Sequence, residues 1–154
     1  MRRCASPTGP FRATPVADAL APLVPAPDAL TTAYWNGARE HALVIQRCRN
    51  CRRWQHWPEP VCRSCLGFAL GYEAVSGRGT VYSYEIATQA FHPSFADKIP
   101  FVIAVVELDE QPNLKLVTNL VDVALDGVEV GAPVEVTFQR LGDDFELPVF
   151  RPAA

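Results

Sequence analysis

Four of the five cysteines stand in two pairs, Cys48-x-x-Cys51 and Cys62-x-x-Cys65, with ten residues between the pairs. A C-x-x-C pair at a tight turn aims both sulfurs at one point. Two such turns supply a tetrahedron of thiolates, which suits Zn²⁺ with Zn–S distances of about 2.3 Å. The loop between the pairs is shorter than is usual for this pattern, so the ribbon they build must be compact. Structural zinc is the expected occupant; iron suits the same sulfurs, and a site that has lost its metal is the remaining alternative. With four protein ligands the coordination shell is closed, and the metal should support the fold instead of activating water. Redox use of either pair would call for a helix start, whereas the flanking residues read as strand and turn.

Arg47, Arg49, Arg52, Arg53 and Arg63 flank the cysteines. They are expected to lower the thiol pKa values and to offset the -2 charge of four thiolates around a divalent ion. The fork of an arginine also matches phosphate oxygens in pairs, so a phosphate-bearing ligand or an acidic protein surface is a candidate beside the plain alternative of solvated side chains. Trp35, Trp54 and Trp57 lie in the same stretch. Tryptophan with arginine is the composition of interface hot spots; core packing is the competing role. His56, in the loop between the pairs, reads as an exposed histidine because four sulfurs already fill the site. Ser83, His92, Ser94 and Asp97 offer the letters of a triad without a nucleophile elbow or oxyanion context. Glu107, Asp109 and Glu110 read as solvated turn acids, and Cys4 lacks an orienting base. No catalytic residue is assigned.

These residues need elements to hold them. The chain has 154 residues and a formal charge of -3, which fits one domain with a small appendage. The charge is uneven: residues 1–70 carry nine arginines and four acids, residues 71–154 five bases and thirteen acids. Six prolines within residues 1–27 predict an extended or flexible arm. Asp28 or Thr32 can cap a helix through Tyr34, Trp35 and Ala38 to Glu40 and His41. Leu43 to Ile45 reads as a strand into the first cysteine pair. Strand signals follow: Tyr82, Tyr84 and Ile86 on one face, an apolar run Phe101–Leu108 of the kind covered on both sides, Leu114 to Leu120, and Val134 to Phe138. Turns at Ser76-Gly77, Gln111-Pro112-Asn113, Asp126-Gly127 and Gly142-Asp143-Asp144 separate them. About five strands with no crossover helix predict a small antiparallel barrel or sandwich. The expected organisation is an arm (1–27), a helix with a zinc ribbon (28–70) and a barrel (71–154). Neither a signal peptide nor a membrane span is read, and a reducing, cytoplasmic setting is expected.

The order of parts carries a resemblance. Tyr34-Trp35 precedes the cysteine knuckles; then come Ser76-Gly77-Arg78-Gly79-Thr80-Val81-Tyr82-Ser83-Tyr84, the strand from Pro100 to Asp109, Thr118-Asn119-Leu120-Val121, Val130-Gly131-Ala132-Pro133-Val134-Glu135-Val136 and Phe150-Arg151-Pro152. Over roughly residues 28–152 this series resembles the DUF35 family, which joins a rubredoxin-like zinc ribbon to an OB-fold barrel. The resemblance implies a mainly β protein: an N-terminal helix and zinc ribbon followed by a five-stranded antiparallel OB-fold barrel. It implies a non-catalytic accessory subunit that binds and stabilises a thiolase-fold partner (aldolase, thiolase or acyltransferase) acting on acyl-CoA, with CoA or the partner's surface as the expected ligand of Arg47, Arg49, Arg52, Arg53 and Arg63. His92-Pro93-Ser94-Phe95-Ala96-Asp97 is most similar to the partners of steroid side-chain retro-aldolases. Glu110-Gln111-Pro112 departs from the family, which turns on a glycine there. The alternative function, a single-stranded nucleic-acid-binding OB module, is disfavoured by the acidic barrel half, which repels phosphate.

Overall fold

The computed structural model describes residues 23–142 and 145–153. Cys4, most of the expected arm, and Asp143-Asp144 of the last expected turn lie outside the described residues. The Asp28 carboxylate accepts hydrogen bonds from the amides of Leu30 and Thr31, at 3.0 and 2.7 Å. This turn launches helix α1 (Thr32–Arg39), whose N-cap is Thr31. Asp28 thus organises the turn ahead of the helix, and the Thr32 hydroxyl, inside the first turn, donates to the Asp28 carbonyl. Tyr34, Trp35, Gly37 and Ala38 form the buried side of α1. A Cβ on Gly37 would sit 2.4 Å from Val44 Cγ2. The residue that weakens the helix by about 1 kcal/mol is therefore the one that admits the next strand.

That strand, β1 (Val44–Cys48), is the centre of a three-stranded antiparallel sheet with β2 (Trp54–Gln55) and β3 (Leu70–Ala74) on its two sides. Because β3 hydrogen-bonds to β1, residues 71–74 pair with the ribbon, a few residues past the expected start of the barrel.

Strands β4 (Arg78–Ala87), β5 (Phe101–Leu108), β6 (Lys115–Leu120), β7 (Pro133–Leu141) and β8 (Phe145–Pro152) close a barrel in the order β4-β5-β6-β8-β7. Four of its joins are antiparallel, while β6 meets β8 in parallel at Leu120 and Phe150. An odd number of strands cannot alternate direction around a closed ring, so one join must be parallel. Val81, Val102, Val106, Leu108, Val134 and Phe150 fill the interior, each at most 2% exposed.

Two strand expectations change. The apolar run in β5 is covered on one side: Val102, Ala104, Val106 and Leu108 are buried, while Ile103 is 37% exposed. A barrel has one interior, so the outward residues of β5 stay uncovered however apolar they are. In β4 the register shifts between Val81 and Ser83. This bulge leaves Tyr84 and Ile86 paired with the inward Ala104 and Val102. Tyr82 is turned outward, where Lys115 Nζ lies 3.2 Å from its ring centroid. Tyr82 and Tyr84 therefore do not share a face.

Helix α1 joins the two halves, packing on β8 as well as on β1 and β3. Trp35 is buried at this seam, edge-on to Tyr34 at 4.8 Å and 4.8 Å from Phe145. A second tie comes from Gln111, whose side-chain amide takes the Trp54 N–H at 3.0 Å and donates to the Trp54 carbonyl at 3.2 Å. Among the described residues no helix is long and apolar enough to cross a membrane.

Candidate metal centre

Each cysteine pair is built by the same backbone device. In the first, Cys48 closes β1, its amide donates to the Arg53 carbonyl, and the Arg52 amide returns to the Cys48 carbonyl at 3.0 Å. In the second, the Cys62 amide donates to Gly67 and the Leu66 amide to Cys62, both at 2.9 Å. Reversing the chain in so few residues puts Arg52 and Leu66 at positive φ, 62° and 58°. The turns bring all four sulfurs within 4.8 Å of one another. The Cys48–Cys65 and Cys51–Cys62 separations are both 3.6 Å. A tetrahedron with metal–sulfur distances of about 2.3 Å has edges of about 3.8 Å, so these two opposite edges of the donor set already match a zinc-sized ion.

The electrostatics of the cluster favour a cation. Amides of Cys51 and Asn50 aimed at its sulfur hold the Cys48 thiol below its ordinary pKa. Those of Cys65 and Ser64 bring Cys62 down to about 6. Cys65 receives the Gly67 amide, yet the neighbouring Cys51 and Cys48 sulfurs outweigh it and push it up to about 12. A positive ion shared among the sulfurs would offset the repulsion between neighbouring thiolates. The lowering comes from backbone amides, not from the flanking arginines as the sequence suggests.

Those arginines are mostly engaged. Glu73 on β3 takes Arg47 at 2.8 Å and Arg52 at 3.0 and 3.2 Å, and the pair holds its carboxyl below the ordinary range, Arg47 first. Arg63 is paired with Glu59. The Arg47 guanidinium also covers the Trp54 ring at 4.5 Å. Arg49 lies against Gly71, where a Cβ would meet its Nε at 2.9 Å. Among the described residues Arg49 and Arg53 have no ion pair. Of the tryptophans, Trp35 is in the core, Trp54 is half-buried, and Trp57 is exposed at 47%.

Two residues that sequence reasoning passed over hold the loop between the pairs. Gln46 and Gln55 are buried at 3% and 6%. Gln55 Nε2 donates to Gln46 Oε1 at 2.6 Å, and that oxygen also accepts the Glu59 amide at 2.9 Å. Gln46 Nε2 reaches the Glu59 carbonyl, and Gln55 Oε1 takes the Arg63 amide. The one available signal was a glutamine directly after Val44-Ile45 in a strand. His56 also departs from expectation: it is half-buried, stacked on Trp57 at 4.3 Å and 5.5 Å from Tyr34, with both ring nitrogens buried and unpartnered. Burial, aided by Arg63, lowers its pKa to about 4. It lies outside the sulfur cluster.

The triad letters are not assembled. His92 Nδ1 meets Ser94 Oγ at 2.7 Å as the cap of a short 3-10 turn, Pro93–Phe95. Of the turn acids, Glu107 faces Lys115 at 3.5 Å. Glu110 is not solvated: one oxygen takes the Ser76 amide at 2.6 Å and the other is buried without a partner.

Family models agree with this two-part architecture. Residues 35–71 match the rubredoxin-like zinc ribbon domain of ChsH2, and residues 72–139 match the C-terminal OB-fold domain of ChsH2. A solved structure described as the Ltp2-ChsH2(DUF35) aldolase contains a chain 40% identical to this one. The likeness covers 85% of this chain and 100% of that chain, with a TM-score of 0.77. The protein belongs to the ChsH2-type DUF35 family. It is also 43% identical over 122 residues to a probable enoyl-CoA hydratase alpha subunit of Thermomonospora curvata, covering 79% of this chain and 37% of the relative. A DUF35 domain-containing scaffold protein of Methanocaldococcus jannaschii is 29% identical over 119 residues, covering 76% and 82%. This DUF35 chain thus spans little more than a third of the hydratase subunit. Its four cysteines are placed as a zinc ribbon requires.

Proposed function

We propose that this DUF35 chain is a non-catalytic subunit that binds and stabilises a thiolase-fold enzyme acting on acyl-CoA, of the retro-aldolase kind. The observation that carries this reading is the likeness, over 85% of this chain, to the whole of a chain in the Ltp2-ChsH2(DUF35) aldolase. Cys48, Cys51, Cys62 and Cys65 would hold a zinc ion, whose role in a closed sulfur shell is structural. Thiolates of this kind suit a reducing compartment such as the cytoplasm. Residues 28–70 would act as the docking module and 71–154 as the barrel that carries it.

The ribbon supports the reading in its own chemistry. Leu66 and Phe68, on the second knuckle, are 72% and 79% exposed, and Trp57 stands out from the loop between the pairs. Exposed apolar side chains of this size among cations are what a protein interface buries. Arg49 and Arg53 are the cations left to meet CoA phosphates or partner carboxylates.

Co-expression with a thiolase-fold protein tests the proposal. A complex of equal stoichiometry that Leu66→Asp with Phe68→Asp abolishes is the expected result; turnover of an acyl-CoA by this chain alone would overturn it. Arg49→Ala with Arg53→Ala should weaken acyl-CoA binding by the complex by about tenfold. Strong, salt-sensitive retention on single-stranded DNA would instead favour the nucleic-acid reading.

A further inference from the structure

We propose that the barrel carries a binding site of its own, for a small amphipathic anion with an aliphatic body. The site is a cavity of about 640 Å³, within the range of roughly 300–1,000 Å³ that small-molecule sites occupy. It opens between the β4–β5 connection and the end of β7, the two loop regions that OB-folds use for ligands.

Its lining sets the chemistry. Phe95 and Phe101 stack at 5.9 Å on one side; Leu23, Pro25, Leu120, Val121, Leu141 and Leu147 line the rest together with a few polar groups. All but Leu120 are partly exposed, so an apolar body would cover them. The ionisable side chains in the described lining are Lys98 and Arg140, both cationic. That is unexpected in a half-chain where acids outnumber bases thirteen to five. Among the described residues Lys98 has no ion pair; its ammonium lies 5.5 Å from the Phe95 ring centroid, at the boundary of the apolar lining. An apolar pocket rimmed by cations takes a hydrocarbon with a negative head. The aromatic rings in the described lining, Phe95 and Phe101, stack on each other instead of standing apart for successive nucleic-acid bases. A free fatty carboxylate and the acyl chain of a thioester share this chemistry.

The inference does not depend on the partner reading, because Lys98 lies in the barrel and the exposed apolar knuckle in the ribbon. Titration of the full chain with dodecanoate, followed by calorimetry and methyl NMR, tests it. Saturable one-to-one binding that shifts the methyls of Leu120, Val121 and Leu147 is expected. Lys98→Glu, a surface change compatible with folding, should weaken binding by about tenfold, and dodecanol should bind about tenfold more weakly than dodecanoate. Displacement by dodecanoyl-CoA assigns the site to thioesters, and failure to displace assigns it to free acids; either supports the proposal. It is overturned by absence of saturable binding, by shifts confined to other methyls, by an unchanged affinity in Lys98→Glu, or by equal displacement with coenzyme A lacking an acyl chain. Lys98→Glu should leave co-purification of a thiolase-fold partner intact, so the two readings can fail separately.

Discussion

The ribbon and the barrel solve the same problem with different materials. The barrel has five strands to wrap around a shared interior, and Val81, Val106, Val134 and Phe150 are buried there almost completely. The ribbon has three short strands, one of two residues, and cannot enclose comparable apolar volume. Its centre is instead four sulfurs, flanked by the hydrogen-bonded pair Gln46 and Gln55. Small modules need such staples because the surface they bury is too little to offset chain entropy. The contrast teaches where each half is vulnerable: the ribbon to loss of a cation or of a hydrogen bond, the barrel to loss of volume.

The contrast can be broken most forcefully by taking the metal away. A strong chelator, or Cys48→Ser with Cys62→Ser, should unfold the ribbon, since metal-binding energy is folding energy in such modules. Amide exchange should show lost protection over residues 44–74 while β4 to β8 keep theirs. Equal loss in both halves would mean that α1 couples them into one cooperative unit.

The complementary change is Phe150→Ala. Removing a fully buried phenyl should cost the barrel about 3–5 kcal/mol, read as a lower midpoint in denaturant with zinc stoichiometry unchanged. Third in size is Gln46→Leu. It strips partners from the Glu59 amide and Gln55 Nε2, a loss of about 1–3 kcal/mol, and competition with a metal indicator should show weaker zinc retention.

Acid sharpens the comparison further. The unfolded His56 imidazole takes a proton near pH 6.5, whereas the folded ring resists until about 4. Stability is therefore lost as pH falls through that window, by about 1–2 kcal/mol for a half-buried ring. His56→Phe keeps the stack on Trp57 and should remove this part of the pH dependence, leaving the part due to thiolate protonation. The smallest effect is expected from Leu66→Gly. Relief of the positive φ at an exposed leucine should stabilise the zinc-loaded ribbon by about 1 kcal/mol, seen as a small rise in its melting temperature.

The metal site was legible because ligand chemistry is local: residue type and the spacing of Cys48, Cys51, Cys62 and Cys65 state it almost completely. Strands with an unbroken alternation, such as Leu114 to Leu120, were legible for the same reason. Elsewhere the signal was incomplete. β8 was obscured by Pro148, whose place in a strand depends on which neighbour needs its amide. The bulge that turns Tyr82 outward leaves no mark in a pattern of alternating residues, because one unpaired residue changes the face of those around it.

By itself, then, the sequence determined the donor set, the uneven charge and the succession of helix, ribbon and strands, all of which depend on neighbours along the chain. Tertiary structure alone decided that Glu73 would bind Arg47 and Arg52, that Gln111 would clasp Trp54, and that Trp35 would lie in the seam. It also decided that Lys98 and Arg140 would rim one apolar cavity. Each of these joins residues far apart along the chain, and Coulombic and hydrogen-bond contacts act over a few ångströms of space, whatever the distance along the backbone.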